Sequence, residues 1–226
     1  MANQPVGNAI GREASVLATN KVLRNTYMLL ALTLAFSAVV ATVSMSMGVP
    51  YLGFFPTIIG FFALLFLVHK TANSAFGLVS IFLFTGFLGL TLGPLLNAYM
   101  TIAPSAIPQA LGLTAFTFIG LSAYVLTTKA DMSFLRGFVV IGVLVLLGII
   151  GIYAIMQFTG GTVPPGIQLA ISAFVVLLMS AIILYQTSDI VHGGETNYIL
   201  ATTTLFVSLY NLFTSLLHLI GFMGDD

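Results

Sequence analysis

The chain has 226 residues, of which 59% are hydrophobic and only 5% are charged, and its six basic and six acidic residues cancel. An average soluble domain carries about 25% charged residues, so this composition excludes a soluble fold and predicts a polytopic membrane protein. The chain has no cysteine, which excludes disulfides, thiolate nucleophiles and cysteine metal sites. The zero net charge argues against nucleic acid as a partner.

The first 25 residues are polar, and we expect residues 1–25 to form a mobile cytoplasmic tail. Seven apolar segments follow, and each approaches or exceeds the roughly 20 residues that a helix needs to cross a bilayer. They must be helices because hydrocarbon offers the backbone no hydrogen-bond partner. The predicted fold is an all-α membrane domain over residues 26–222, followed by a short tail, 223–226. The segments cover residues 26–47, 51–68, 75–97, 106–127, 134–157, 167–187 and 198–222.

The basic residues predict the orientation of these segments. All six fall in the tail or in connections on one side of the predicted membrane domain: Arg12, Lys21, Arg24, Lys70, Lys129 and Arg136. The positive-inside rule then places the N-terminus in the cytoplasm, and seven spans place the C-terminus in the periplasm. The last segment is rich in hydroxyl groups. A re-entrant hairpin there is the alternative, and it would return the C-terminus to the cytoplasm.

The connection between the sixth and seventh segments concentrates charge. Asp189, His192 and Glu195 lie three residues apart in a chain that has few charges elsewhere. The glycine pair 193–194 is typical of a helix end, and either residue of 196–197 can cap the next helix. This connection is a solvated turn, a surface that contacts a partner, or part of an ion gate.

A polar stripe follows the seventh segment. Thr204, Ser208, Asn211, Ser215 and His218 are separated by steps of four and three residues, so they share one helix face. Hydrocarbon would not favour such a face, and we expect it to point into the bundle. There it either bonds neighbouring helices or lines a water-filled cavity.

The third segment carries small residues on one face. Gly86, Gly89 and Gly93 are spaced three and four residues apart, and Asn97 continues the same face. Small residues allow two membrane helices to approach closely, so we interpret this face as a packing surface. Pro94 predicts a bend or a hinge in the same helix.

No motif predicts an enzyme or a cofactor site. Ser122, in the sequence GLSA, and His218 are similar to the serine and histidine of an intramembrane protease. Their positions along oppositely directed helices place them about 18 Å apart in depth at 1.5 Å per residue, whereas a serine and its base must lie about 3 Å apart. The three histidines have no metal-ligand spacing, and no nucleotide-binding glycine pattern occurs.

Five segments resemble the bacterial YccA branch of the Bax-inhibitor family, and together they cover nearly the whole chain after the tail. This resemblance implies seven helices with the last one in the middle of the other six. The segments are KVLRNTYMLLALTLAFSA (21–38), TGFLGLTLGPLLNAY (85–99), SAYVLTTKADMSFL (122–135), HGGETNYI (192–199) and SLYNLFTSLLHLIGF (208–222).

The resemblance implies two functions. YccA-like members are inner-membrane proteins that bind FtsH, an ATP-dependent membrane protease, and restrain its attack on membrane substrates such as the SecY channel. Other members are pH-sensitive calcium leak channels gated by a pair of aspartates. This chain has Gln186 and Ser208 at the corresponding positions. Neither can titrate, so the pH gate is altered unless Asp189, one turn beyond Gln186, lies on a continued helix.

We therefore expect a non-enzymatic protein that restrains FtsH, with the N-terminal tail offered to the protease while the bundle resists extraction. The expected partner-contact face consists of Lys129, Asp131, Arg136, His192 and Glu195. The alternative is a leak pathway for calcium or another cation. Its expected pore and gate residues are Gln186, Asp189, Ser208, Asn211 and Ser215. A transporter of a small solute is a third possibility.

Overall fold

The structure, a computed structural model, describes residues 5–223, and within that range it contains seven α-helices and no strand. Each helix is long and apolar enough to cross a membrane. The predicted number, order and class of elements are confirmed. The helices are α1 (Pro5–Ser46), α2 (Phe54–Thr71), α3 (Phe76–Ile102), α4 (Ala106–Thr128), α5 (Leu135–Thr159), α6 (Pro165–Val191) and α7 (Tyr198–Met223).

The first helix begins before the apolar sequence does. Its apolar span starts at Thr19, and the helix itself starts at Pro5. The expected helix start near Thr26 is therefore wrong. Ala, Leu, Lys, Arg and Glu, which occur in the polar segment before the apolar span, are good helix formers, so the helix extends through that segment. Residues 1–4 of the predicted tail, and residues 224–226 of the predicted C-terminal tail, lie outside the described residues.

The helices alternate in direction. α1 and α3 run parallel, since Ser44 Oγ donates to the Leu90 carbonyl (2.9 Å) and Asn97 Nδ2 to the Met45 carbonyl (3.0 Å) further along both helices. The connections 72–75, 129–134 and 192–197 therefore share one end of the bundle. We call it the basic end, because five basic residues lie there: Lys21, Arg24, Lys70, Lys129 and Arg136.

The glycine face of α3 packs against α1, as the sequence predicts. A Cβ atom on Gly89 would overlap the Ser37 carbonyl oxygen, and one on Gly93 would overlap Ser44. Only glycine permits so close an approach of the two backbones. α3 continues through Pro94 to its end at Ile102.

α7 lies at the centre of the bundle. It packs against α1, α2, α3, α4 and α6, and half of its span is buried. Among the described residues α5 does not pack against α7 but only on α2 and α6, so the resemblance-based expectation holds for five of the six other helices. α7 is unbroken over 26 residues, or about 39 Å at 1.5 Å per residue. The re-entrant hairpin is therefore wrong.

Candidate functional site

The connection between α6 and α7 is held by its own charged and polar side chains. α6 ends at Val191, and Gly193 follows with a φ of 77°, a conformation that favours glycine. Glu195 Oε1 accepts a hydrogen bond from the Asn197 backbone N–H (2.7 Å). Asn197 Oδ1 in turn accepts from the backbone N–H groups of Ile199 (2.9 Å) and Leu200 (3.2 Å), which makes it the N-cap of α7.

Ser188 joins this connection to the one between α4 and α5. Its hydroxyl donates to the Ala130 carbonyl (3.2 Å) and accepts from the Met132 backbone N–H (2.9 Å). The side chain of Ser188 is 2% exposed. His192 Nδ1 lies 2.8 Å from the Ser188 carbonyl oxygen, so the histidine ring sits over the same junction.

Asn197 joins the same connection to the one between α2 and α3. Its Nδ2 donates to the Ala72 carbonyl (3.1 Å) and to Asn73 Oδ1 (2.9 Å). α1 approaches this point as well, because Thr19 lies beside Gly193. The three connections thus form one hydrogen-bonded surface at the basic end. We call it the loop surface: residues 72–75, 129–134 and 192–197, with Arg136 in the adjoining first turn of α5.

The loop surface carries most of the predicted partner-contact residues in exposed positions. Lys129 ends α4 with a φ of 51°, and Arg136 lies in the first turn of α5. Asp131 Oδ1 accepts a hydrogen bond from the Ser133 backbone N–H (2.8 Å). This bond, with a second from the Ser133 hydroxyl and the attraction of nearby His192, holds the pKa of the Asp131 carboxyl below its ordinary value.

The predicted contact residues differ in their surroundings. Lys129, Asp131, Arg136 and His192 are exposed, whereas Glu195 is half-buried because its carboxylate holds the Asn197 backbone. The structure therefore does not place these contact residues on a mobile surface. The side chains project from a fixed frame of backbone hydrogen bonds.

The polar stripe of α7 points into the bundle, as predicted. Ser208 is 1% exposed and donates to the Thr204 carbonyl (2.8 Å), and Asn211 Nδ2 donates to the Val207 carbonyl (2.8 Å). At the other end of the stripe His218 Nδ1 lies 2.8 Å from Ser172 Oγ on α6. His218 thus bonds α6 and does not serve Ser122 on α4.

Part of this stripe lines a cavity of about 460 Å³ between α2, α5, α6 and α7. Most of its wall is apolar, and we call it the polar cavity only because polar side chains of α7 form one part of that wall. Thr204, Ser208 and Asn211 contribute to its wall, together with His69 and Thr57 of α2. The first residues of the stripe thus line a cavity, and His218 bonds a neighbouring helix. That the cavity is filled with water stays a prediction. Ser215 is buried but does not line the polar cavity.

The two candidate gate residues of α6 lie on a continuous helix. α6 extends to Val191, so Gln186 and Asp189 are one turn apart, and the condition for Asp189 to replace the missing aspartate is met. Ile182, one turn before Gln186, lines the polar cavity. Gln186 is 7% exposed, and its Nε2 donates to no atom of the described residues.

No acidic side chain lines the polar cavity among residues 5–223. Asp189 is half-buried at the loop surface, where its carboxylate lies against Gly194. The described residues also contain no group of three or more His, Asp or Glu side chains arranged to hold a metal ion.

Sequence reasoning missed the role of Ser188. Its signal was a hydroxyl four residues before His192, within the last turn of a helix, where serine is not a favoured residue. The partners of that hydroxyl lie 56 and 58 residues away along the chain, so no local pattern identifies them.

The family model for the inhibitor of apoptosis-promoting Bax1 matches residues 19–225. The chain belongs to the Bax-inhibitor family. Two Escherichia coli proteins, named "Modulator of FtsH protease YccA" and "Inner membrane protein YccA", are each 52% identical to this chain over 215 residues, which is 94% of both chains. An uncharacterized protein of Pseudomonas aeruginosa is 56% identical over 207 residues, 91% of this chain and 90% of its own.

Proposed function

We propose that this protein is a modulator that binds FtsH in the bacterial inner membrane and restrains its proteolysis. The observation that carries the proposal is the 52% identity to the Escherichia coli modulator of FtsH over 94% of both chains. The matched length covers nearly the whole of both chains. In this proposal the protein acts by binding and not by catalysis.

The loop surface is the proposed contact with the protease, and it faces the cytoplasm together with the N-terminus. The positive-inside rule supports this orientation, since the basic residues gather at that end. Three connections held by Ser188 and Asn197 form a surface that loses little conformational freedom when a partner binds. Lys129, Asp131, Arg136, His192 and Glu195 supply its charge.

We propose that FtsH binds the N-terminal segment and that the helix bundle resists extraction from the membrane. Close packing of α3 on α1 at Gly89 and Gly93 opposes removal of α1 from the membrane. The protease would hold the N-terminal segment of a bundle that does not unfold. Because the protease is occupied, its degradation of other membrane substrates would slow.

The experiment is FtsH proteolysis in proteoliposomes, following one labelled membrane substrate with and without this protein. Slower degradation in its presence is the expected result. Unchanged degradation, with both proteins verified in the same bilayer, would overturn the proposal. Removal of residues 1–20 separates its two parts: loss of restraint supports the role of the N-terminal segment, and full restraint assigns the effect to the loop surface alone.

A second candidate is a cation leak pathway, and the polar cavity beside α7 is the observation that favours it. Ser208 and Asn211 line this cavity, with Gln186 and then Asp189 between it and the loop surface. Calcium entry into protein-loaded liposomes, reduced in Asp189→Asn, is its expected signature. Equal entry in the variant would remove Asp189 from the pathway, and no entry at all would remove the pathway.

A further inference from the structure

A second cavity lies between α1 and α4, on the opposite side of α7 from the polar cavity. The rings of Tyr27 on α1 and Phe118 on α4 pack together, with their centroids 5.9 Å apart. In the part of the chain that the structure describes the backbones of α1 and α4 nevertheless stay apart, although both helices pack against α7. The gap between them has a volume of about 600 Å³. Its floor is formed by α7 and its far wall by α3. We call it the lateral crevice.

The walls of the lateral crevice are almost entirely apolar. Its floor consists of Phe206, Leu209 and Phe213, and its rim of exposed residues such as Leu111 and Ile119 on α4. The rim lies within helices that cross the membrane, so the crevice opens toward hydrocarbon and not toward water.

Most of the polar side chains in the crevice are bonded within the protein. Thr42 Oγ1 donates to the Ala38 carbonyl (2.8 Å), and Thr114 Oγ1 donates to the Ala110 carbonyl (2.7 Å). The Tyr210 hydroxyl is paired with Thr91 (2.9 Å). The remaining hydroxyl, on Ser37, is buried against the backbone of α3 at Gly89. The crevice therefore offers little to a polar ligand.

The shape of the crevice selects among apolar occupants. On α4 it extends from Ile107 to Ile119, about 18 Å at 1.5 Å per residue. That length is close to one leaflet, which is about half of a 30 Å hydrocarbon core. A volume of 600 Å³ over that length leaves a mean cross-section of about 33 Å². A helix about 10 Å across needs roughly 80 Å², more than twice that cross-section, and would enter the crevice only in part.

We propose that the lateral crevice binds one acyl chain of a phospholipid from the leaflet away from the basic end. Ile107, at the start of α4, marks that end of the crevice, so the chain enters there and reaches toward the middle of the bundle. An empty crevice would deprive its lining of dispersion contacts, and a flexible hydrocarbon chain restores them. The bound chain fills the gap between the backbones of α1 and α4, beside the Tyr27–Phe118 ring contact.

The protein has no tryptophan, so one introduced tryptophan reports on the crevice without background. Phe213→Trp places it on the floor, and Phe116→Trp places it on the outer surface of α4, where Phe116 is 77% exposed. Each variant is reconstituted in vesicles of phospholipid whose acyl chains carry bromine, which quenches tryptophan on contact. A third variant adds Ala38→Phe and Ala115→Phe to Phe213→Trp, which fills the crevice with protein.

The expected result is that brominated lipid removes most of the fluorescence of Phe213→Trp as well as of Phe116→Trp, and that filling the crevice restores the fluorescence of the floor probe alone. Native mass spectrometry should then show one retained phospholipid on the wild type and none on the filled variant. A floor probe that stays bright while the outer probe is quenched would overturn the proposal. So would equal quenching in the filled variant. If Phe213→Trp does not fold, Phe118→Trp probes the same crevice from α4.

Discussion

α7 and α5 are nearly equal in length, yet they occupy opposite positions in the bundle. α7 has the lowest mean hydropathy of the seven spans, and half of the residues in its span are buried. α5 has the highest mean hydropathy, and only 6% of the residues in its span are buried. In a soluble protein the helix with the higher mean hydropathy would be the more buried one. Lipid is as apolar as leucine, so an apolar helix gains no solvation energy by leaving it. Between these two helices a polar face, and not apolarity, therefore marks the one in the interior.

The largest expected effect comes from truncating a leucine on each helix. Leu212 of α7 is 0% exposed and Leu144 of α5 is 62% exposed. Leu212→Ala leaves a cavity among packed helices and should lower the free energy of unfolding by about 2–5 kcal/mol. Leu144→Ala loses contacts that lipid replaces, and it should have little effect. Unfolding in mixed micelles measures both, and equal losses would contradict the assigned positions of the helices.

A glycine pair gives the next largest effect. A Cβ atom on Gly221 of α7 would overlap the ring of Tyr99, whereas one on Gly148 of α5 would meet no atom within 4 Å. Gly221→Ala should cost about 1–3 kcal/mol because the ring must move. Gly148→Ala should stabilise α5 by up to about 1 kcal/mol through its better helix propensity. The same unfolding measurement gives the sign of each change in the free energy of unfolding. Two changes of the same sign would contradict the surroundings assigned to the two glycines.

A tyrosine pair tests the hydrogen bonds of the interior. Tyr210 of α7 bonds Thr91 of α3 at 2.9 Å, and Thr91 also donates to the Leu88 carbonyl. Tyr210→Phe should therefore cost only about 0.6 kcal/mol, the average for such bonds in membranes. Tyr153→Phe on α5 is the matched deletion and should be neutral. A larger loss from Tyr153→Phe would show that α5 takes part in an interior contact.

The smallest effect concerns the loop that leads into α5. The Ser133 hydrogen bonds lower the pKa of Asp131 from its ordinary value of 3.8, so this carboxylate adds stability above that pH and loses it as pH falls through the lowered pKa. Ser133→Ala removes the hydroxyl and should raise the Asp131 pKa part of the way back. NMR titration of the Asp131 carboxyl measures the shift. An unchanged pKa in the variant would assign the whole effect to the backbone N–H.

The sequence predicted the parts of the fold that depend on local patterns. Apolar segment lengths predicted the seven helices, and the three-and-four spacing from Thr204 to His218 predicted the inward face of α7. Gly89 and Gly93 predicted a packing face on α3, although not that α1 is the helix it meets. Each pattern is visible within one helix, because one periodicity determines both the helix and the face it buries.

The remaining features of the fold and the site depend on which helices pack together, and the sequence of a single helix does not determine that. Ser188 bonds residues 56 and 58 positions away, and the lateral crevice exists because the backbones of α1 and α4 stay apart. Ser215 belongs to the predicted stripe but lies outside the polar cavity, since the cavity ends before the stripe does. α5 stands apart from α7 because lipid accommodates its apolar surface.

The most direct test of the account asks whether the loop surface restrains FtsH. Ser188→Ala removes the hydroxyl that joins two connections, and the matched control Ser180→Ala removes one that bonds only the Val176 carbonyl of its own helix. Degradation of a labelled membrane substrate by FtsH in proteoliposomes should be slow with the wild type and with Ser180→Ala, and faster with Ser188→Ala. If Ser188→Ala slows degradation as much as the wild type and Ser180→Ala do, the claim that the loop surface restrains FtsH is wrong. If all three leave degradation as fast as in vesicles without them, the protein does not restrain FtsH at all.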